Sequence, residues 1–319
     1  MTHRARPRGL RVLCVVGLVL GGCTSDTSPE ARFIDNTRPT VGMHTGLPGV
    51  SFQPDEGSGF SGIDVLVKDR VEEGLGFDRG TLRVSSTASD QRDEMLMGDK
   101  ADMVIASYSI TPDRMTKVDF AGPYLTTRQG VLVGPENLGV RSRKDLKGKT
   151  VCTWGGTTSE APLENLRAEG LIANVEDTRA TARECVDAVV AGDVDAFSTD
   201  LTILYGFVEA NPGAGLRVVP NTFIGTAQYY GIGIPKGHRK DCERLKAFLK
   251  DYVESPGWVQ DIRVSLPALD KAIPDWPSRY KPKPEDIDRR SCKDKAGLPG
   301  HTSAAAFPDV SPTSTAGSG

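Results

Sequence analysis

Ala106-Ser107-Tyr108-Ser109-Ile110-Thr111-Pro112-Asp113-Arg114, followed closely by Val118-Asp119-Phe120-Ala121-Gly122-Pro123-Tyr124, is the most informative stretch of this sequence. It reads as a short apolar strand, Met103 to Ser107, that runs out into hydroxyl residues. A helix start follows, with Thr111 as N-cap and Pro112 at the first helical position. Arg114 then falls in the first turn, at the positive end of a helix dipole, where a cation is disfavoured unless an anion lies close. The planar donor fork of a guanidinium suits a carboxylate gripped through two hydrogen bonds. A surface ion pair with Asp113 or Asp119 is the simpler alternative.

Outward from this stretch the chain alternates strand-like and helix-like segments. On its N-terminal side, Pro39 to Met43 reads as a strand. Asp64 to Gly74 reads as a helix with Ile63, Leu66, Val67 and Val71 on one face, Leu82 to Ser86 as a strand and Asp90 to Met97 as a helix. On its C-terminal side the rhythm restarts: strand Thr150 to Trp154, helix Ser159 to Glu169 closed by Gly170, helix Cys185 to Ala191, strand Val194 to Ser198 and helix Leu201 to Glu209. Strands Leu216 to Pro220 and Tyr230 to Ile234 and helix Cys242 to Glu254 complete the pattern. This order implies an α/β fold with mostly parallel, helix-covered sheets in two units. Ligands of such sheets sit where strand carboxyl ends open toward helix N-termini.

Composition narrows the function. The 319 residues carry a formal net charge of -3 with 38% hydrophobic residues, a globular balance without the basic footprint of a nucleic-acid binder. The four histidines, His3, His44, His238 and His301, are too few and too scattered for a His-rich metal centre, and nothing implies a cofactor. Residues 1–22 read as an export signal: Arg4, Arg6, Arg8 and Arg11 precede the apolar run Val12 to Leu20, too short to cross a bilayer comfortably. The run ends in Leu20-Gly21-Gly22-Cys23, which resembles a bacterial lipobox and implies a lipid on Cys23. A plain secretory signal is the alternative. Loss of this segment, with its four arginines and no acid, takes the charge from -3 to -7. Residues 23–37 then read as a flexible spacer, and residues 296–319, dominated by Ala, Gly, Pro, Ser and Thr, as a disordered tail.

Four cysteines remain after Cys14 and Cys23 are set aside: Cys152, Cys185, Cys242 and Cys292. An even number in an exported chain suggests two disulfides. Three pairings are possible; Cys152 with Cys185 and Cys242 with Cys292 is favoured because each pair falls within one apparent unit. No Cys-x-x-Cys spacing supports a zinc or redox centre.

The Ser-x-Ser-Ile-Thr-x-x-Arg pattern with Val-Asp-Phe-Ala-Gly-Pro-Tyr resembles the solute-binding protein family 3, the amino-acid-binding subunits of bacterial ABC importers. Further matches are Gly59-Phe60-Ser61-Gly62-Ile63-Asp64, Leu146-Lys147-Gly148-Lys149, Gly156-Thr157-Thr158-Ser159-Glu160 and Gly192 to Asp200, in family order from about residue 38 to 295. The placing of Cys152 and Cys185 is similar to that in the glutamate-importer branch. The resemblance implies a two-lobed clamp of the periplasmic-binding type II form, each lobe a mostly parallel sheet covered by helices, joined by two crossover strands. Residues 38–129 and 230–295 would form one lobe and residues 130–229 the other.

The resemblance also assigns roles. Arg114 would hold the ligand α-carboxylate with support from Ser109, Ser107 would help through backbone groups, and Asp200 would take the α-ammonium. Thr157-x-x-Glu160, which also reads as a capping box, would present Thr157, the Thr158 hydroxyl and free N–H groups to the same carboxylate. Asp200 as the N-cap of the next helix is the competing reading. Phe60 would line the pocket or simply pack in the core. Side-chain selection would fall to His44, or to Arg179 or Arg183 from the second lobe. The implied function is capture of a polar amino acid, glutamate, glutamine or aspartate, by a monomeric, lipid-anchored protein on the outer face of the bacterial cytoplasmic membrane. Delivery would be to an ABC permease with separate ATPase subunits. A dehydratase acting on a cyclic acid, built on the same scaffold, and a ligand-sensing module for a receptor are the rival readings.

Overall fold

The computed structural model describes residues 33–35 and 38–293. The export segment, Cys23 and the tail at 296–319 therefore lie outside the described residues. In chain order the strands are β1 (Thr40–Met43), a small hairpin of β2 (Gly46–Leu47) and β3 (Ser51–Phe52), β4 (Arg83–Ser86), β5 (Met103–Val104), β6 (Asp119–Val133), β7 (Thr150–Trp154), β8 (Asn174–Arg179), β9 (Ala196–Asp200), β10 (Arg217–Val218) and β11 (Ile224–Ile234). The helices are α1 (Ile63–Leu75), α2 (Arg92–Met97), α3 (Arg114–Lys117), α4 (Glu160–Ala168), α5 (Ala182–Ala191), α6 (Leu201–Ala210), α7 (Arg239–Glu254), α8 (Pro256–Ser265), α9 (Pro267–Ala272), α10 (Trp276–Tyr280) and α11 (Pro284–Arg290).

The strands run in the order β4-β1-β5-β11-β6-β9-β7-β8, with β10 on β6. At one end β1 lies parallel to β4 and β5, and at the other β7 lies parallel to β8 and β9. Between these parallel halves run the long strands β6 and β11, antiparallel to each other and to the strands they flank. The fold is thus the expected two-lobed α/β clamp with two crossover strands. Cores form on both halves: Leu96, Val104, Tyr108 and Phe120 pack in one apolar cluster, and Val131, Val151, Leu163 and Ala196 in another.

Local chemistry explains the elements. In α1 the apolar residues Ile63, Val67 and Val71 repeat every four positions and are buried, the stripe an amphipathic helix needs. The same face buries Lys68 and Glu72, joined at 3.1 Å, and the Glu72 carboxylate also accepts the Leu82 N–H at 2.7 Å. A buried charge persists only when so compensated. At the start of β6, Asp119 takes Lys236 at 2.7 Å, and the Tyr124 hydroxyl donates to Asp64.

Several expectations need correction. The strand read at Val194 to Ser198 lies two residues further on, and the one read at Tyr230 to Ile234 begins at Ile224. The fifteen-residue β6, nearly all buried, is absent from the sequence reading because its turn-like Gly122-Pro123 masked the extended run. The edge strand β8 was also missed, being polar and half-exposed. Within the presumed spacer, Phe33 and Ile34 are buried; the Phe33 N–H donates to Asp241 at 2.8 Å and its ring lies 5.6 Å from His238. Two apolar residues cover core surface at the head of α7, so the chain is docked there rather than free.

Cys152 is bonded to Cys185 and Cys242 to Cys292. The second bridge ties the head of α7 to Cys292, two residues beyond α11, across 50 residues, and the Cys292 N–H donates to the Phe120 carbonyl of β6. Replacing both Cys242 and Cys292 by Ser is expected to lower unfolding free energy by about 4 kcal/mol through restored chain entropy. Urea unfolding with an unchanged midpoint would contradict this.

Candidate functional site

Between the two halves lies a narrow cleft, lined on one side by Ser89, Arg92, Ser107, Ser109 and Arg114 and on the other by Trp154, Thr157, Thr158, Ser159, Thr199, Asp200 and Ile203. Ser107, Ser109, Arg114, Thr157, Thr158 and Asp200, chosen from the sequence, therefore meet in one place. No group of His, Cys, Asp and Glu among the described residues is arranged to hold a metal ion.

Arg114 is positioned by its own loop. The Thr111 hydroxyl accepts the Arg114 N–H at 3.2 Å, so the expected cap is made, although regular helix spans only the single turn α3. Its guanidinium donates to the Ser109 carbonyl at 2.9 Å and across the cleft to the Gly156 carbonyl at 3.0 Å. Burial lowers its pKa, against the pull of Tyr108, Asp93 and Asp200. The helix dipole has little part here, since one turn has little dipole; two carbonyls hold the cation.

Arg92 is the residue that the sequence reading missed. It is almost wholly buried and donates to the carbonyls of Ser89 at 2.9 Å, Ala106 at 3.0 Å and Gly156 at 3.1 Å. Burial, then the neighbouring Arg114, lowers its pKa to about 9. Both guanidinium carbons lie near the Tyr108 ring, 4.8 and 5.0 Å from its centroid, a cation–π arrangement suited to a buried cation. In sequence Arg92 is one polar residue at the start of a short helix, and its burial is decided by the packing of α2 on β5.

Ser107 adopts a left-handed backbone, φ 44°, and its N–H donates to buried Asp64 at 2.8 Å. Burial raises Asp64 to about 7, against hydrogen bonds from Tyr124 and Ser107 and the charge of Arg92. Ser109 is stitched to the crossover strand by a bridge with Tyr230. This fixes the loop bearing Arg114 relative to β11.

On the other side, Asp200 stands at the N-cap position of α6, yet its side chain makes no cap bond. It accepts instead from the Tyr230 hydroxyl at 2.5 Å. Burial raises its pKa to about 6, opposed by Tyr230, Arg114 and Arg92. The Thr157 turn is only half a capping box. The Glu160 carboxylate does accept the Thr157 N–H at 3.1 Å, but the Thr157 hydroxyl donates to the Trp154 carbonyl and accepts from Ser159 N–H, and α4 starts only at Glu160. Gln129 of β6 braces the turn by donating to the Ser159 carbonyl. Gly156, at φ +74°, approaches Asp90 so closely that a Cβ would lie 2.7 Å from its backbone, and the indole N–H of Trp154 reaches the Ser89 hydroxyl at 3.2 Å. The halves thus touch directly across the cleft.

The remaining candidates lie elsewhere. His44 sits behind Ser89, its Nε2 2.9 Å from that hydroxyl, and burial followed by Arg92 lowers its pKa to about 3, so it is neutral and supports the wall rather than lining it. Phe60 packs partly buried against the main core and is not a cleft residue. Arg183 is exposed and engaged with Asp187 and Asn211, and Arg179, at the end of β8, also lies off the cleft. Both were offered as alternatives to His44 for reading the ligand side chain; the second arginine that lines the cleft is Arg92, in the first lobe.

Comparison with known proteins agrees with this geometry. The model of the bacterial extracellular solute-binding proteins, family 3, matches residues 40–261. A glutamate-binding protein, GluB, of Corynebacterium efficiens is 32% identical over 246 residues, covering 74% of this chain and 82% of the relative. A glutamine-binding protein of Geobacillus stearothermophilus is 30% identical over 230 residues, 70% of this chain and 84% of the relative. Among solved structures, an ancestral arginine-binding protein bound to glutamine superposes with a TM-score of 0.61 at 29% identity, covering 72% of this chain and 97% of that one. Fold, cleft and relatives converge: the chain belongs to the bacterial extracellular solute-binding proteins, family 3.

Proposed function

We propose that this protein captures a single amino acid between its lobes, with an acidic side chain preferred, and hands it to an ABC permease. The reading rests on one observation: Arg92, Arg114 and Asp200 line the same small cleft. Two cations and one anion give the site an excess of one positive charge. A zwitterion bearing an additional carboxylate, glutamate or aspartate, balances it, and a buried charge left unbalanced is costly. The relatives named for glutamate and glutamine support the same class.

In this reading Arg114 holds the α-carboxylate with Ser109 and the Thr157–Ser159 turn, Asp200 takes the ammonium, and Arg92 with Ser89 faces the side chain. Because the ligand touches both lobes, it favours the closed form by the affinity the open form lacks. The lobes are residues 38–129 with 230–295 and residues 130–229, and the binding unit is a monomer. Residues 1–22 direct export and Cys23 carries the lipid, holding the protein at the outer face of the cytoplasmic membrane beside its permease, whose ATPase subunits are separate chains. The polar groups of the cleft form a complement to the charges of an amino acid, and the relatives are named for binding, so turnover is not expected.

A thermal-shift screen over the common amino acids tests the ligand class. Glutamate or aspartate at about 100 times its dissociation constant stabilises by about 2.7 kcal/mol, and neutral or basic amino acids do less. Arg114→Ala loses charge-assisted bonds of ~1.5–3 kcal/mol each and should weaken binding at least about a hundredfold by calorimetry. Equal response to arginine, or unchanged affinity in the variant, contradicts the reading. Separately, Cys23→Ala should move the protein from the membrane fraction to the medium; retention in the membrane counts against the lipid anchor.

A further inference from the structure

We infer that Tyr230 is a positioning residue for the ligand ammonium, holding one oxygen of Asp200 so that the other meets the ligand, and that capture of the ammonium expels a proton from this carboxyl. The inference rests on the reading of Asp200 given above and goes beyond it.

The geometry is asymmetric. Asp200 is 6% exposed and lines the cleft. Its Oδ2 accepts from Tyr230, while its Oδ1 is buried with no hydrogen-bond partner. Buried polar atoms in folded proteins are nearly always paired, so this oxygen marks the place of a missing donor. The neighbouring cations do not supply it. The hydrogen bonds of Arg114 go to the Ser109 and Gly156 carbonyls, and those of Arg92 to the Ser89, Ala106, Ser107 and Gly156 carbonyls. The charged and titratable groups facing Asp200 are therefore Tyr230 from β11, Arg114 from α3 and Arg92 from α2, and only Tyr230 touches it. A buried carboxylate with one neutral donor holds its proton more tightly than usual, consistent with a value near 6.

Tyr230 is itself immobilised. Its backbone bridges Ser109, while Ile110 N–H donates to Tyr229 and Gly231 N–H to Tyr108. One residue of the crossover strand thus holds the loop that carries Arg114 by its backbone and Asp200 by its hydroxyl. The span between the two poles of the ligand site is set there. The Tyr230 hydroxyl is shifted well above 10, chiefly by burial, so it stays a donor.

When the ammonium arrives, its N–H groups occupy the free oxygen and favour the carboxylate form. The O–H bond of the protonated fraction breaks, its electron pair stays on the carboxylate and the proton leaves to solvent. Binding strength is then complete above the free-state value and falls as pH drops through it, approaching about tenfold per pH unit below. His44, held near 3, is silent in this window. Among the described residues Asp64, which reaches about 7, is a competing source, but its oxygens are taken by Ser107 and Tyr124 and it does not line the cleft.

The experiment is calorimetry of the full chain with glutamate between pH 5 and 8, in buffers of differing ionisation enthalpy, with circular dichroism to verify folding of each variant. The expected result is release of a fraction of a proton per ligand near pH 6, fading toward pH 8. Tyr230→Phe, which removes the bond favouring the carboxylate, should shift the pH midpoint upward and weaken binding even at pH 8. Asp200→Asn should abolish the release in whatever binding remains. Flat affinity without proton release overturns the inference and leaves the amino-acid reading standing. Release that survives Asp200→Asn and disappears in Asp64→Asn assigns the proton to Asp64 and overturns it too. Binding of no amino acid at any pH takes down both.

Discussion

Two guanidinium groups and one carboxylate, all withdrawn from bulk water, are the constraint around which this molecule is arranged. Removing such charges from solvent is expensive unless polar partners compensate. The compensation comes mostly from backbone carbonyls: Ser89, Ala106, Ser109 and Gly156 receive Arg92 and Arg114. These carbonyls are free because they lie at strand ends and in tight turns, where no ladder partner claims them. The sheet topology makes the site possible, since parallel strands all present such ends on one side.

The same economy governs the supporting residues. Asp64 holds Ser107 in its left-handed conformation, Tyr124 holds Asp64, and Tyr230 holds Asp200. Tyr124 and Tyr230 lie on the crossover strands β6 and β11, their rings 6.1 Å apart. Each buried carboxylate beside the cleft is therefore tied to a strand that runs between the halves, so motion of the halves bears directly on charges in the site. The Gly156 carbonyl, shared by both arginines across the cleft, completes the coupling.

Much of the fold was legible because its signals are local. The four-residue apolar repeat of α1, the Thr111 hydroxyl on the Arg114 N–H, and the restart of the strand–helix rhythm near Thr150 are properties of short windows. The elements that escaped are those whose conformation is fixed from outside. Strand β6 contains Gly122-Pro123 and polar residues that read as a turn, and it is extended because β11 and β9 pair along it. The Phe33–Asp35 segment reads as spacer and is ordered by Asp241 on α7 and His238 just before it.

By itself the sequence determined the α/β class, the two-unit rhythm and the loop that carries Arg114, because hydrophobic periodicity and capping act over a few residues. Its resemblance to a family brought Ser107, Ser109, Thr157, Thr158 and Asp200 forward as candidates. Only the tertiary structure decided which cations enter the cleft. Arg92, Arg179 and Arg183 are equivalent polar residues in sequence, and burial alone separates the first from the other two. His44 likewise has the chemistry of a ligand contact, but the turn of β1 places it behind Ser89, where burial keeps it neutral. Charge at a site depends on distance and desolvation in three dimensions, and neither is written in the spacing of residues along a chain.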